Sequence, residues 1–203
     1  PNPNPSPNPN LADAEEQPIG REHAAEGELG SVLVGCALVA EVSEAAHSDL
    51  IAVYPADDHV NAARNNGWTA VMIASQHGHV EALRVLHGLG ADVNAARKNG
   101  YTAAMIASQR GHVEALRLLH GFGADMNAKD TNGRTAAMIA SQNGRADVMR
   151  VLYGLAADVN ATQKDGFTAA MIASQNGHVE ALRVLLGLSA DVNATHKDGF
   201  TAA

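Results

Sequence analysis

Arg64 to Ala96 reads RNNGWTAVMIASQHGHVEALRVLHGLGADVNAA, and Arg97 to Lys129 reads RKNGYTAAMIASQRGHVEALRLLHGFGADMNAK. The two stretches are copies at a period of 33 residues, and two more follow at Asp130 to Thr162 and Gln163 to Thr195. His196 to Ala203 begins the pattern again. A unit this short cannot bury its own apolar face, so it becomes stable by stacking on its copies into a quasi-one-dimensional solenoid.

Each copy carries the same local grammar. Thr69, Thr102, Thr135 and Thr168 stand where a helix N-cap belongs, because a threonine hydroxyl can accept from a free backbone N–H of the first turn. The identical string MIASQ follows each of them, and Gly78, Gly111, Gly144 and Gly177 close that first helix. A second helix is expected over Val80 to His87 and its counterparts, with Ala82, Leu83 and Leu86 on one stripe. GADVNA or a variant then turns the chain into the next copy. The glycine after the second helix is present at Gly90 and Gly123 but reads Ala156 and Ser189 in the later copies. A left-handed position there costs a residue with a side chain about 1 kcal/mol relative to glycine, so the third and fourth copies are expected to fray first.

Composition agrees with stacked helices: 46% of residues are hydrophobic and only 3% aromatic, so alanine and aliphatic side chains must fill the interior. Charge divides the chain. Before Arg64 a single basic residue, Arg21, stands against eleven carboxylates; from Arg64 onward thirteen Lys and Arg face eleven Asp and Glu. No dense basic stripe results, which disfavours nucleic acid as a partner. Val32 to Ala40, the longest apolar run, is about half the ~20 residues that a membrane span needs, so no membrane partner is expected. Cys36 is the only cysteine. It excludes an internal disulfide and fits a reducing compartment, the cytoplasm or nucleus.

Residues 1–33 form a Pro/Asn-rich and then acidic leader, expected to be disordered. Residues 34–63 read as a degenerate capping repeat, with Leu50 and Val53 in register with Leu83 and Leu86; its helices are expected over Ala37 to Ala46 and Ser48 to Tyr54. Residues 64–203 are the array. A chain that opens at Pro1 and stops inside a repeat is expected to be a fragment of a longer polypeptide.

Paired helices joined by a glycine turn, then GADVNA leading to an NGxT or DGxT start, resemble the ankyrin repeat. The resemblance implies an all-α solenoid of stacked helix-turn-helix repeats with projecting hairpins, working as a monomeric array that binds a protein partner along its hairpin tips and first helices. The usual TPLH motif reads TAVM at Thr69 and TAAM at Thr102, Thr135 and Thr168. Met72, Met105, Met138 and Met171 replace a histidine that in the family hydrogen-bonds neighbouring repeats. They are expected to pack rather than donate, leaving junctions more purely hydrophobic and somewhat looser.

Columns that differ between copies are the candidates for recognition. The residue after the hairpin glycine is Trp68, Tyr101, Arg134, Phe167 or Phe200; two places before that glycine stand Asn65, Lys98, Thr131, Lys164 and Lys197; the first helix ends at His77, Arg110, Asn143 or Asn176. Four of the seven aromatic residues occupy the first of these columns. Tryptophan, tyrosine and arginine are over-represented among interface hot spots, which makes Trp68, Tyr101 and Arg134 the expected anchors.

Chemistry is harder to find. The histidine columns recur as structural positions rather than converging on a metal site, Asp92 and its counterparts belong to the turn, and neither Ser75 nor Cys36 has a base beside it. No catalytic residue, metal or cofactor is expected. The function read from the chain is a non-catalytic interaction scaffold or adaptor; the alternative is a targeting module of a larger enzyme, a kinase or ubiquitin-ligase component, whose catalytic domain lies outside these residues.

Overall fold

A computed structural model describes residues 60–199 and 201–202. The leader, the capping segment up to residue 59 and Phe200 lie outside the described residues. Within them are eight helices and no strand: α1 Ala70–His77, α2 Val80–Gly88, α3 Ala103–Arg110, α4 Val113–Gly121, α5 Ala136–Gln142, α6 Ala146–Gly154, α7 Ala169–Gln175 and α8 Val179–Gly187.

Two layers result, because each helix touches its own partner and the equivalent helix of the next repeat. The first helices α1, α3, α5 and α7 pack in sequence, as do α2, α4, α6 and α8. Small residues let the inner layer close up: Ala74, Ala107, Ala140 and Ala173 are at most 2% exposed. Met72, Met105, Met138 and Met171 fill the space beside them and are buried, each contributing about 2 kcal/mol of apolar transfer. Leu86, Leu119, Leu152 and Leu185 do the same from the outer layer.

Every inner helix is capped as its sequence dictates. The hydroxyls of Thr69, Thr102, Thr135 and Thr168 accept from the backbone N–H of Met72, Met105, Met138 and Met171 at 3.3 to 3.5 Å. Gly78 and Gly111 then leave the helix in the left-handed region. After the outer helices the same region recurs, at Gly90 (φ 83) and Gly123 (φ 88), and it is imposed on Ala156 (φ 60) and Ser189 (φ 61) as well.

The junctions differ from the expectation of purely hydrophobic contact. Asn61 Oδ1 accepts from Asp92 N at 2.7 Å while its Nδ2 donates to Gly90 O at 3.3 Å. Asn94 repeats this with Asp125 N and Gly123 O, and Asn127 with Asp158 N and Ala156 O. Asn160 accepts from Asp191 N. A second ladder starts just before the outer helices, where His112 Nε2 lies 3.0 Å from Gln76 O and His178 Nε2 3.0 Å from Gln142 O. A carbonyl only accepts, so Nε2 carries the proton in both. Arg145 Nε donates to Gln109 O at 3.1 Å in the repeat between. Polar links lost with the TPLH histidine are thus supplied from two other columns.

Candidate functional site

Each repeat begins with a tight hairpin. In the second, Gly100 N donates to Arg97 O at 2.8 Å and Arg97 N to Tyr101 O at 2.9 Å, which puts Lys98 and Asn99 at the tip. The other hairpins close alike at Arg64–Trp68, Asp130–Arg134 and Gln163–Phe167. Adjacent hairpins also join through their backbones: Thr131 N donates to Asn99 O and Lys164 N to Asn132 O, both at 3.0 Å. Gly100 permits this approach, since a Cβ there would stand 2.8 Å from the Asp130 Cα. Its φ of +81° is a second reason for glycine. The tips of the second, third and fourth hairpins therefore form one continuous edge.

On that edge the two variable hairpin columns separate. Asn65, Lys98, Thr131, Lys164 and Lys197 are exposed. Trp68, Tyr101, Arg134 and Phe167 are half-buried, and the three rings pack against the core. Phe200 lies outside the described residues. Neighbouring hairpins cover these side chains: the Arg97 guanidinium sits 4.9 Å from the Trp68 ring centroid, that of Arg134 sits 5.6 Å from Tyr101, and Phe167 meets His196 at 4.3 Å. Each ring is thus partly covered by the hairpin that follows it.

Arg134 is also committed inside its own hairpin. Asp130, whose side chain is 1% exposed, accepts from Arg134 Nε at 2.7 Å, Arg134 N at 2.8 Å and Asn132 N at 2.9 Å. Three donors on one buried carboxylate satisfy it, so this pair holds the third hairpin together. Tyr101 lies beside it. Burial pushes the Tyr101 phenol above its ordinary range; the guanidinium of Arg134 acts against that, the carboxylate of Asp130 with it, and Arg97 against it.

At the ends of the inner helices His77 and Arg110 are exposed. His77 stacks on His79 with ring centroids 5.6 Å apart. Asn143 and the exposed Asn176 fold back on their own helices, each donating from Nδ2 to the carbonyl four residues back at 2.8 Å. Ser108 donates to Ala104 O and Ser141 lies against Met149 Sδ, so these hydroxyls are occupied in packing. Among the described residues no group of three or more His, Cys, Asp and Glu side chains is arranged to hold a metal ion, and no helix is long and apolar enough to cross a membrane.

Two features escaped sequence reasoning. The asparagine ladder was visible as an invariant column, Asn61, Asn94, Asn127 and Asn160, yet its reach across the junction depends on the loop geometry. The column Arg64, Arg97, Asp130, Gln163 and His196 opens each hairpin and varies in charge; its importance comes from contact with the preceding hairpin, which the residues of one copy do not reveal.

The family model "Ankyrin repeats (3 copies)" matches residues 38–130 and 105–196, together most of the 203-residue chain. The chain belongs to the ankyrin repeat family. Ankyrin repeats are generally protein–protein interaction modules and typically non-catalytic. No curated protein is matched by the chain.

Within this ankyrin array the outer helices are electrically balanced by pairs such as Glu81–Arg84 (3.4 Å) and Asp147–Arg150 (2.6 Å), with Arg150 also reaching Glu180 of the next repeat at 3.2 Å. The hairpin edge is less balanced. Lys98, Lys164 and Lys197 are exposed there beside the exposed acids Asp165 and Asp198, while Asp130 is spent on Arg134, so the second hairpin carries cations with no acid of its own.

Proposed function

We propose that this ankyrin array is a non-catalytic scaffold or adaptor that binds a protein partner along the hairpin edge and the exposed ends of the inner helices. One observation carries the reading. Residues that differ between copies, Asn65, Lys98, Thr131, Lys164 and Lys197, are exposed at the tips, whereas the methionine and alanine of the repeated string MIASQ are buried in every copy. Differing side chains on a repeated frame are what discrimination between partners needs. The half-buried Trp68, Tyr101 and Phe167 stiffen this surface; His77 and Arg110 border it on the inner helices. The array acts as a monomer in the cytoplasm or nucleus, a reducing compartment that the lone Cys36 fits.

The test compares two charge-reversed proteins of equal substitution number. One carries Lys98→Glu, Arg110→Glu and Lys164→Glu at the edge; the other carries Arg84→Glu, Arg117→Glu and Arg183→Glu on the outer helices. Affinity capture should lose its partner with the first and keep it with the second. Loss with both, or retention with both, would remove the hairpin edge as the binding surface.

A further inference from the structure

The hairpins of the second and third repeats treat charge in opposite ways. Asp130 opens the third hairpin and neutralises Arg134 internally at 2.7 Å. Its counterpart in the second hairpin is Arg97, a cation, whose guanidinium lies 4.9 Å from the Trp68 ring centroid. Arg97 is half-buried, and its Nε is shielded from solvent without a hydrogen-bond partner. Among the described residues no carboxylate pairs with it. Lys98 stands exposed at the next position.

We propose that Trp68, Arg97 and Lys98 form an anchor for an aspartate or glutamate carboxylate in an acidic segment of the protein partner. A guanidinium laid on an indole is held in one orientation, and its planar N–H edge matches the two oxygens of a carboxylate. One repeat away Arg134, which stands in the Trp68 column but likewise lies over a ring of the preceding hairpin, Tyr101, holds the Asp130 carboxylate through its Nε. Lys98 adds a second positive charge on the solvent side. Cations too sparse for a run of nucleic-acid phosphates suffice for one or two side-chain carboxylates. This anchor rests on the scaffold reading and names the chemistry of what that edge recognises.

Trp68 is the only tryptophan, so its fluorescence reports on this site in the full chain. The probe is a peptide alternating glutamate with glycine, compared with its glutamine counterpart and with a phosphoserine counterpart, in low salt. The glutamate peptide should change Trp68 emission and the glutamine peptide should not. Arg97→Gln should weaken the response roughly tenfold, as loss of a charge-assisted pair implies. Arg97→Lys should also weaken it, because charge remains but the planar edge is gone. Lys98→Gln, at an exposed position that cannot compromise folding, should lower affinity severalfold, and Arg84→Gln on α2 should leave it unaltered. The anchor is overturned by no response to the glutamate peptide, by equal losses in Arg97→Gln and Arg84→Gln, or by full binding in Arg97→Gln and Lys98→Gln. Tighter binding of the phosphoserine peptide would overturn the carboxylate assignment. If the edge variant with Lys98, Arg110 and Lys164 reversed loses the captured partner but Arg97→Gln keeps it, this anchor fails while the scaffold reading stands.

Discussion

The first two full repeats and the last two share nearly every seam residue, yet they differ in how their turns are built. In the first pair, Gly90 and Gly123 occupy the left-handed position after the outer helix; in the second pair, Ala156 and Ser189 hold the same φ with a side chain attached. The layer imposes the conformation, because the following Asp N–H must still meet the asparagine of the preceding repeat. Tertiary demand overrides local preference, and the strain collects at one end. Charge is divided as well. The third hairpin encloses its own ion pair, whereas in the second Arg97 is stacked on Trp68 with no carboxylate paired to it among the described residues.

The most severe way to break this contrast is to remove the enclosed acid. Asp130→Ala should cost about 3 kcal/mol, since it strips three hydrogen bonds from the hairpin and strands Arg134 in a half-buried place. Urea denaturation followed by circular dichroism would measure it, and a loss below about 1 kcal/mol would mean that the hairpin does not depend on the pair. Next in size is the ladder common to both halves. Asn94→Ala and Asn127→Ala should each cost about 2 kcal/mol for two cross-repeat bonds, and should cost the same. Unequal losses in the same assay would show that the seam, too, is graded along the array.

The turn contrast is sharpened by exchanging residues. Ala156→Gly and Ser189→Gly should each stabilise by about 1 kcal/mol, and Gly123→Ala should destabilise by about as much. A Cβ at Gly123 would meet nothing within 4 Å, so the change isolates the backbone contribution. Hydrogen exchange should find repeats three and four opening first in the parent protein and lose that order in the double glycine variant.

The smallest expected effect concerns alkaline pH. Burial raises the Tyr101 pKa above its unfolded value of 10.0, so the neutral phenol contributes stability that is fully present below about pH 10 and lost as pH climbs through the folded value. Tyr101→Phe should therefore lose less stability than the parent between neutral pH and the region above pH 10. Parallel pH profiles for the two proteins would show that Tyr101 ionises as freely folded as unfolded.

Much of this architecture was legible from the residues. The four threonine caps, the helix-ending glycines and the two strained turn positions follow from local chemistry, which is why they could be placed from the sequence. The Glu81–Arg84 type of pair was legible for the same reason, since three-residue spacing brings side chains together on any helix. What stayed hidden depends on the relation between successive layers. His112 reaching Gln76 O, Asn94 spanning to Asp125 N, and Arg97 lying over Trp68 all join residues about one repeat apart. Their contact is decided by how the layers stack, a quantity no single unit encodes. The half-burial of the Trp68 column has the same origin: its cover comes from the following hairpin.

The asparagine ladder has a consequence for length. Each rung connects one copy only to its successor, and the groups on both sides of every junction are chemically alike from Asn61 to Asn160. Excising or inserting one whole period of 33 residues would rejoin the same donors to the same acceptors. A gene encoding such a protein can therefore lengthen or shorten its product in whole-period steps without redesigning the asparagine joint, and the reach of the hairpin edge becomes an inheritable dimension.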